Sequence, residues 1–208
     1  MKKKGLRRIL ILGVIAVLAI GWFAAYRAVN RWYEPLLIPI KTVNYKMGQR
    51  VPIGPEPKNL LQPQGWNGYS YRVHEWKILD TDTFLEEYQL QDHWEEEDYK
   101  PEKMLVVTVT VANENNAQKD FSLFQLDVQT ELSDAFLDET LCAELNKGVT
   151  YPADIFIPVT EEVTLTLPYG LRRAEFSTRH WQNLEDQPFY MICRVTNEGW
   201  EERIVPLN

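Results

Sequence analysis

Residues 104–111 read MLVVTVTV, and this stretch decides the fold class of the chain. Because successive side chains of a strand point to opposite faces, Leu105 and every second residue up to Val111 share one face, while Thr108 and Thr110 occupy the other. Valine and threonine also pack well on a pleated sheet. The stretch therefore predicts a strand in the centre of a sheet, with the Leu105 face buried.

Several shorter stretches with the same period predict further strands on both sides of this one. Turn residues separate them: residues 113–116 follow the central strand, and residues 197–199 would join the last two strands into a hairpin. About seven short strands with turns between them are typical of an antiparallel two-sheet β-sandwich. The predicted strands are Tyr45–Ile53, Tyr69–Val73, Phe124–Val128, Ile155–Val159, Val163–Leu167, Phe189–Val195 and Trp200–Leu207.

Two short helices are predicted between the strands. Thr83 and Glu86 have the spacing of a capping box, in which the hydroxyl and the carboxylate each accept a hydrogen bond from an unpaired backbone N–H. Phe84 and Tyr88, four residues apart, would share one face of this helix. Ser177 is a candidate N-cap for the second helix.

The N-terminal region predicts a membrane anchor. Residues 9–26 read ILILGVIAVLAIGWFAAY, eighteen residues without a charge, and at about 1.5 Å per residue such a helix crosses most of a ~30 Å hydrocarbon layer. Five basic residues precede it within residues 1–8, whereas only Arg27 and Arg31 follow closely. The positive-inside rule therefore places residues 1–8 in the cytoplasm and the C-terminal domain outside the cell, as in a single-pass signal-anchor protein of the cell membrane.

A cleaved signal peptide is the alternative interpretation of the same segment. Such peptides end in small residues of the A-x-A type. The nearest candidate, residues 23–25, places the bulky Phe23 where a small residue is needed, which favours an uncleaved anchor. No cysteine lies near this segment, so the sequence excludes attachment through a lipid-modified N-terminal cysteine.

Proline recurs between the anchor and the first long strand. Because each proline fixes φ and removes a backbone donor, residues 27–68 are predicted to form an extended stalk with at most an edge strand. The extracellular β-sandwich domain would then occupy residues 69–208. The prolines of the stalk are Pro35, Pro39, Pro52, Pro55, Pro57 and Pro63.

Charge is divided unequally along the chain. Residues 1–31 contain seven of the 22 Lys and Arg residues and no acid, which leaves 15 bases against 30 acids in the remainder, a formal charge near −15. A protein that binds nucleic acid needs a basic surface against the phosphate backbone. Nucleic acid is therefore not an expected partner.

The strongest acidic run is DHWEEED, residues 92–98. It lacks the glycine and the alternating ligands of a calcium loop, so a solvated acidic loop is the favoured interpretation. Trp94 lies in this polar context, where a large ring more often marks a contact surface than a core position. Trp94, Glu95, Glu96 and Glu97 are therefore the candidate interaction surface, with a loop ring that folds back over a sheet edge as the alternative.

Two cysteines, Cys142 and Cys193, are too few for a disulfide-rich scaffold. Outside the cell the pair could oxidise, and Cys193 shares its predicted strand face with Phe189 and Met191, which is the core face. A disulfide between the two residues is one interpretation, and two small buried side chains is the other, slightly favoured one.

The sequence contains no motif of a known catalytic or metal site. His74, His93 and His180 have no paired-histidine spacing, and there is no G-x-S-x-G elbow, P-loop or G-x-G-x-x-G. A dispersed triad leaves no sequence signal, so a hydrolase that uses His74 or His180 stays the least favoured alternative. No catalytic residue, metal ligand or cofactor is predicted.

Several short motifs together resemble a family of uncharacterised membrane-anchored envelope proteins of Gram-positive bacteria. The resemblance includes the basic tail, the apolar span, the YKMGQRV stretch of residues 45–51, the unit from Leu105 to Asn113 with residues 121–126, and LPY at residues 167–169. Such proteins are similar to telokin-like extracellular domains, so the resemblance implies an immunoglobulin-like β-sandwich. It implies no catalytic residues.

These observations favour an anchored extracellular module that binds a protein or another component of the cell envelope through its loops. The alternative from a different class is a sensor domain that binds a small ligand or a cation, with the acidic loop as the source of ligands. Calorimetry with calcium distinguishes the two, because the interaction module predicts no heat of binding.

Overall fold

The computed structural model describes residues 13, 18–27, 40–53, 67–91, 94, 100–117, 120–130, 134–196 and 200–208. Two compact units make up the chain, Met1–Pro39 and Ile40–Asn208. The second unit is mainly β, as predicted. Its strands are β1 (Ile40–Asn44), β2 (Val51–Ile53), β3 (Tyr69–Asp80), β4 (Lys103–Asn113), β5 (Phe121–Ser122), β6 (Asp127–Gln129), β7 (Asp134–Leu137), β8 (Val149–Thr150), β9 (Asp154–Ile155), β10 (Glu162–Leu171), β11 (Tyr190–Thr196) and β12 (Trp200–Pro206).

Helices are few and short. Residues 18–27 form helix α1 in the first unit. The second unit contains α2 (Thr81–Glu87), α3 (Glu139–Leu145) and α4 (Thr178–Gln182), together with single 3-10 turns at Leu123–Gln125, Arg173–Glu175 and Leu184–Asp186.

Nine strands form one curled sheet in the order β1-β12-β11-β6-β7-β10-β4-β3-β2. All pairs are antiparallel except β1 with β12, which is parallel. A small second sheet has the order β5-β9-β8. The curl brings the two ends of the large sheet together, since Arg203 of β12 donates a hydrogen bond to the carbonyl of Pro52 in β2. This architecture is compatible with a β-sandwich.

A buried ion pair lies where the ends of the curled sheet meet. Arg203 and Glu201 occupy the core-facing side of β12, and Arg203 Nε donates to Glu201 Oε1 at 2.8 Å. Lys41 Nζ of β1 lies 3.1 Å from the other carboxylate oxygen. The hydrogen bond from Arg203 lowers the pKa of Glu201 from its ordinary value, so the carboxylate stays charged opposite its two partners.

The central strand confirms the predicted register. β4 pairs with β3 on one side and β10 on the other, and Leu105, Val107, Val109 and Val111 are fully buried in the main core. On the opposite face, Thr110 Oγ1 lies 2.7 Å from His74 Nε2 and forms part of a polar row. The alternation in the sequence therefore placed the core face correctly.

A second, smaller core lies on the opposite face of the same strand. Met104 and Val106 are buried there against Phe84 and Leu85 of α2 and Leu141 of α3. The period-two pattern assigns this face to solvent. The two helices cover it at this end of β4, a long-range contact that the local pattern does not contain.

Several element boundaries differ from the sequence predictions. The predicted strand Tyr45–Ile53 is wrong in its first part: only Val51–Ile53 pairs as β2, and residues 45–50 form a connection that turns at Gly48, whose φ is +77°. The second run, residues 124–128, is interrupted by the 3-10 turn, which leaves Phe124 38% exposed while Leu126 and Val128 are buried. Residues 197–199 lie outside the described residues, but β11 and β12 pair as the predicted hairpin.

Of the two predicted helix caps, one is wrong and the other is confirmed. α2 begins at Thr81, and its N-cap Asp80 makes no side-chain hydrogen bond, so the capping box at Thr83 is wrong. Phe84 and Tyr88 do share a face, with ring centroids 5.0 Å apart. Ser177 caps α4 as predicted, because its hydroxyl accepts a hydrogen bond from the backbone N–H of His180 at 3.3 Å.

In the first unit, α1 places its apolar side chains on the surface. Trp22 and Tyr26 stack with ring centroids 6.3 Å apart, and Arg27 lies 5.5 Å from the centroid of the Phe23 ring. Of the predicted membrane segment, residues 9–26, only residue 13 and residues 18–26 are described. A search of the described part of the chain finds no helix that combines the length and the apolar character needed to cross a membrane. The predicted stalk contributes β1 and β2 to the sheet, and its residues 28–39 and 54–66 lie outside the described residues.

Candidate functional site: an aromatic cleft

A cleft of about 420 Å³ opens beside β7, and three aromatic rings line it. Trp94 stands on one side, Phe136 projects from β7, and Tyr151 comes from the loop between β8 and β9. We call this site the aromatic cleft. Its other lining residues include the carboxylates Asp138, Glu139 and Glu175 and the guanidinium of Arg172.

Two of the three rings are largely in solvent. Phe136 is 69% exposed and Tyr151 is 77% exposed. The alternation of β7 explains Phe136, because Ala135 occupies the core side of the strand and leaves the ring on the outer side. A cluster of large exposed rings around one concave site is a feature of surfaces that bind a partner or ligand.

The floor of the cleft lies on the ladder between β7 and β10. Phe136 pairs with Gly170, and the adjacent Leu137 pairs with Tyr169. Gly170 has no side chain to fill the space across from the ring, and Pro101 lies against it, within contact distance of where a Cβ would be. The cleft therefore has a rigid floor of sheet backbone.

Helix α3 provides the acidic edge of the cleft, and hydrogen bonds hold it at both ends. Asp138 accepts a bond from the backbone N–H of Leu141 at 2.9 Å and so caps the helix. At the other end, the side chain of Asn146 accepts from Thr166 N–H at 2.7 Å and donates to Thr166 C=O at 2.8 Å. The amide thus takes the place of a strand neighbour for β10 and fixes α3, including Glu139, against the sheet.

The sequence leaves two alternatives for Trp94, a ring exposed on a contact surface and a ring that folds back over a sheet edge. Its position in the structure lies between the two. The residue is half-buried and packs against the second core, not in the main core of the sheet. Lys100 Nζ lies 5.9 Å from the centroid of its ring and 3.0 Å from Asp82 Oδ1. Glu95, Glu96 and Glu97, the other members of the predicted surface, lie outside the described residues.

Two further clefts adjoin the aromatic cleft and share lining residues with it. One, of about 390 Å³, begins on the far side of Trp94 and Pro101 and contains Lys100. The other, of about 330 Å³, begins at Phe136 and extends to Phe124. Because neighbouring clefts share lining residues, we treat the three as one candidate site, which we call the aromatic groove.

Carboxylates dominate the charge of the aromatic groove. Among the described residues that line the three clefts, Lys100 and Arg172 are the basic ones. The described acidic residues that line the groove are Asp80, Asp82, Glu102, Asp127, Asp134, Asp138, Glu139 and Glu175. The groove therefore favours a cationic ligand over an anionic one.

Both cysteines are buried away from the groove as free thiols. Burial raises the pKa of Cys142 and of Cys193 to about 12, so both are protonated at neutral pH. Cys193 lies in the main core with Phe189 and Met191, which confirms its predicted strand face. The structure thus provides no reactive thiolate for chemistry at these positions.

The histidines named as hydrolase candidates are not at the groove. His74 lies on the outer face of the sheet beside Thr110, and His180 belongs to α4. Neither lines any of the three clefts described above. Among the described residues, no three His, Cys, Asp or Glu side chains are grouped so that they could hold a metal ion.

Comparison with known families identifies the domain. A model of a domain of unknown function, DUF5028, matches residues 42–196. The chain belongs to the DUF5028 family. The DUF5028 match runs from β1 to the end of β11 and includes all the residues that line the aromatic groove. No curated protein and no solved structure matches the chain.

Two of the three rings, Phe136 and Tyr151, were not predicted from the sequence. Phe136 belongs to a strand of four residues, too short for a period to stand out, and Tyr151 precedes a proline in a loop. A usable signal for Phe136 was its neighbour Ala135, because a small residue on the core side of a strand leaves a large one outside.

Proposed function

We propose that this protein is a membrane-anchored, non-enzymatic binding module whose DUF5028 domain holds a partner in the aromatic groove outside the cell. One observation carries the proposal: Phe136 and Tyr151 keep 69% and 77% of their surface in solvent while lining the same cleft. Exposed large rings contribute little to folding, and such rings are enriched at the centres of binding sites. Their position is explained by a bound partner.

The anchoring part of the proposal is supported by the N-terminal sequence. Residues 9–26 carry no charge, and five of the seven basic residues in the first 31 precede them. A lipid bilayer would cover the apolar side chains that α1 exposes, and the charge bias orients the DUF5028 domain outward. The resemblance to envelope proteins of Gram-positive bacteria supports the same location.

We also propose that the curled sheet is a variant of the immunoglobulin-like sandwich. Strands β1, β12, β11 and β6 would form one layer, and β10, β4, β3 and β2 the other. In support, Trp76 of β3 and Phe189, which precedes β11, meet across the core with ring centroids 6.0 Å apart. In such a sandwich, the short strand β7 joins the layers, and the groove lies along this junction.

The test removes the exposed rings from the full chain in its own membrane. Cells that produce the tagged chain are treated with a chemical cross-linker, and the adducts are quantified by mass spectrometry. The double variant Phe136→Ala and Tyr151→Ala is expected to lose the adducts of the wild-type chain. Phe156→Ala is the matched control, since Phe156 is also 69% exposed but does not line the groove. Equal adduct yields from all three chains would refute the proposal.

A further inference from the structure

We infer that the occupant of the aromatic groove is an extended polypeptide segment of a partner protein that carries lysine or arginine side chains. This inference rests on the proposed function and specifies its ligand. It is carried by the position of Lys100, by the charge of the groove and by the arrangement of the groove as three adjoining clefts.

Lys100 shows how the groove accommodates a cation. Its ammonium group lies 5.9 Å from the centroid of the Trp94 ring and 3.0 Å from the carboxylate of Asp82, and its side chain is 22% exposed. The negative face of an indole ring attracts a cation at this distance, and a carboxylate adds a charge-assisted hydrogen bond. One end of the groove therefore already contains a cation held between an aromatic ring and a carboxylate.

The aromatic cleft repeats this combination of groups. Phe136 and Tyr151 provide ring faces, and Glu139 and Glu175 provide carboxylates beside them. Both carboxylates are half-buried, so a cation that enters the cleft meets them with less screening by water than at an open surface. A lysine or arginine side chain of a partner fits this set of groups in the same way as Lys100 fits Trp94 and Asp82.

The shape of the groove favours a chain of residues over one compact ligand. Each cleft, at about 330 to 420 Å³, falls near the lower end of the size of ligand sites, which run from about 300 to 1,000 Å³. Phe136 and Glu139 line both the aromatic cleft and the cleft that extends to Phe124. Trp94 lines both the aromatic cleft and the cleft that contains Lys100. An extended peptide has side chains at regular intervals and can place successive ones in successive clefts.

A neutral polysaccharide is the competing occupant, because sugars also stack on aromatic rings. The excess of carboxylates distinguishes the two. A neutral sugar gains no long-range attraction from Asp134, Glu139 and Glu175, whereas a cationic peptide does. Peptide binding must therefore weaken with added salt, and sugar binding must not.

The experiment uses the full chain in lipid nanodiscs and a defined probe. The probe is a fluorescent eight-residue peptide in which lysine alternates with serine, and its control is the same peptide with every lysine acetylated. Fluorescence anisotropy is measured from 20 to 300 mM salt, with neutral cell-wall oligosaccharides as competitors. We expect the lysine peptide to bind at least about tenfold more tightly than the acetylated one, and the difference to shrink as salt rises.

Variants assign the binding to the groove. The double variant Glu139→Gln and Glu175→Gln is expected to weaken binding by about tenfold and to flatten its salt dependence. Glu144→Gln is the matched control, because Glu144 lies on the exposed side of α3 and lines none of the clefts. Circular dichroism of each variant verifies that the fold is retained.

The outcomes separate this inference from the proposed function. Equal affinity for both peptides, or competition by the neutral oligosaccharides alone, overturns the cationic segment even where the ring-dependent adducts persist. If removal of the rings leaves the adducts unchanged, the proposed function fails. Loss of peptide affinity in the Glu139 and Glu175 variant, with none in Glu144→Gln, supports the inference.

Discussion

Phe136 lies directly opposite Gly170 in the ladder between β7 and β10. In most strand pairs, the side chains of opposite residues pack on one another and stabilise the sheet. Here the glycine gives the ring nothing to pack on across the pair, which agrees with the 69% exposure of the ring. Although Phe136 is an aromatic residue within a strand, its ring thus contributes little to the stability of that strand.

The first prediction follows from this arrangement. Phe136→Ala is expected to change the free energy of unfolding by no more than about 0.5 kcal/mol, as for an exposed position. Phe121→Ala, which removes a fully buried ring in contact with Tyr69, should cost about 3 to 5 kcal/mol. Denaturant unfolding of the two variants measures the difference. Comparable losses would mean that the Phe136 ring is packed in solution.

The second prediction concerns the two faces of β4. Val109→Asp places an unpaired charge in the main core and should destabilise the fold by about 3 kcal/mol or more. Thr108→Asp lies on the outer face, opposite Glu75, and should cost about 1 kcal/mol or less through repulsion of like charges. Thermal and chemical denaturation compare the two. A greater loss from Thr108→Asp would contradict the register.

The third prediction concerns the amide that holds α3 to the sheet. Asn146→Ala removes the hydrogen bonds to both backbone groups of Thr166 and to the carbonyl of Cys142. The buried groups left without partners should lower the free energy of unfolding by about 2 to 4 kcal/mol. Glu144→Ala, an exposed change on the same helix, serves as the control and should have little effect. Hydrogen exchange at Thr166 should accelerate only in the Asn146 variant.

The fourth prediction concerns the thiols. A thiol with a pKa of about 12 is almost wholly protonated at pH 8, and both Cys142 and Cys193 are also shielded by burial. Neither thiol of the native chain should therefore react with a chromogenic thiol reagent at pH 8. The chain unfolded in the absence of reductant should react with two equivalents of the reagent, one for each cysteine. A reading of zero after unfolding would instead indicate a disulfide between the two residues.

The fifth prediction concerns topology in the membrane. If residues 1–8 are cytoplasmic, protease added to intact cells should degrade the DUF5028 domain and spare an epitope tag at the N-terminus. The control is the same treatment after the cells are lysed, where both parts become accessible. Full protection of the domain in intact cells would contradict the predicted orientation and indicate that the domain faces the cytoplasm.

The sequence predicted most accurately the elements that depend on neighbouring residues. The alternation from Leu105 to Val111 gave the centre of the sheet, and Ser177 gave a helix start, because each signal lies within one element. Burial of Met104 and Val106 was not predictable in this way, since it depends on α2 and α3, which cover the strand only in the folded chain. β1 was missed for the same reason: its partner, β12, lies about 160 residues further along the chain.

The candidate site was predicted in part. Trp94 was selected from its polar neighbours, and it does line the groove, although it is partly buried against the second core. Phe136 and Tyr151 are separated from it by 42 and 57 residues, and only the pairing of β7 with β10 and the position of the β8–β9 loop bring them to the same cleft. Proximity of this kind is a property of topology.

The parallel pairing of β1 with β12 determines how the domain responds to mechanical load. If the N-terminus is anchored and a partner is held in the groove, as proposed, tension enters the domain at Ile40. Among the described strands, it would reach the β1 ladder first, from Ile40↔Trp200 to Asn44↔Ile204. Detachment of β1 would leave the pairing of β2, β3, β4 and β10 intact, with Arg203 bound to Pro52 as the next point of resistance. Residues 40–50 would then lengthen the tether by up to roughly 35 to 40 Å, so the edge strand would act as an extensible link that yields before the proposed binding surface does.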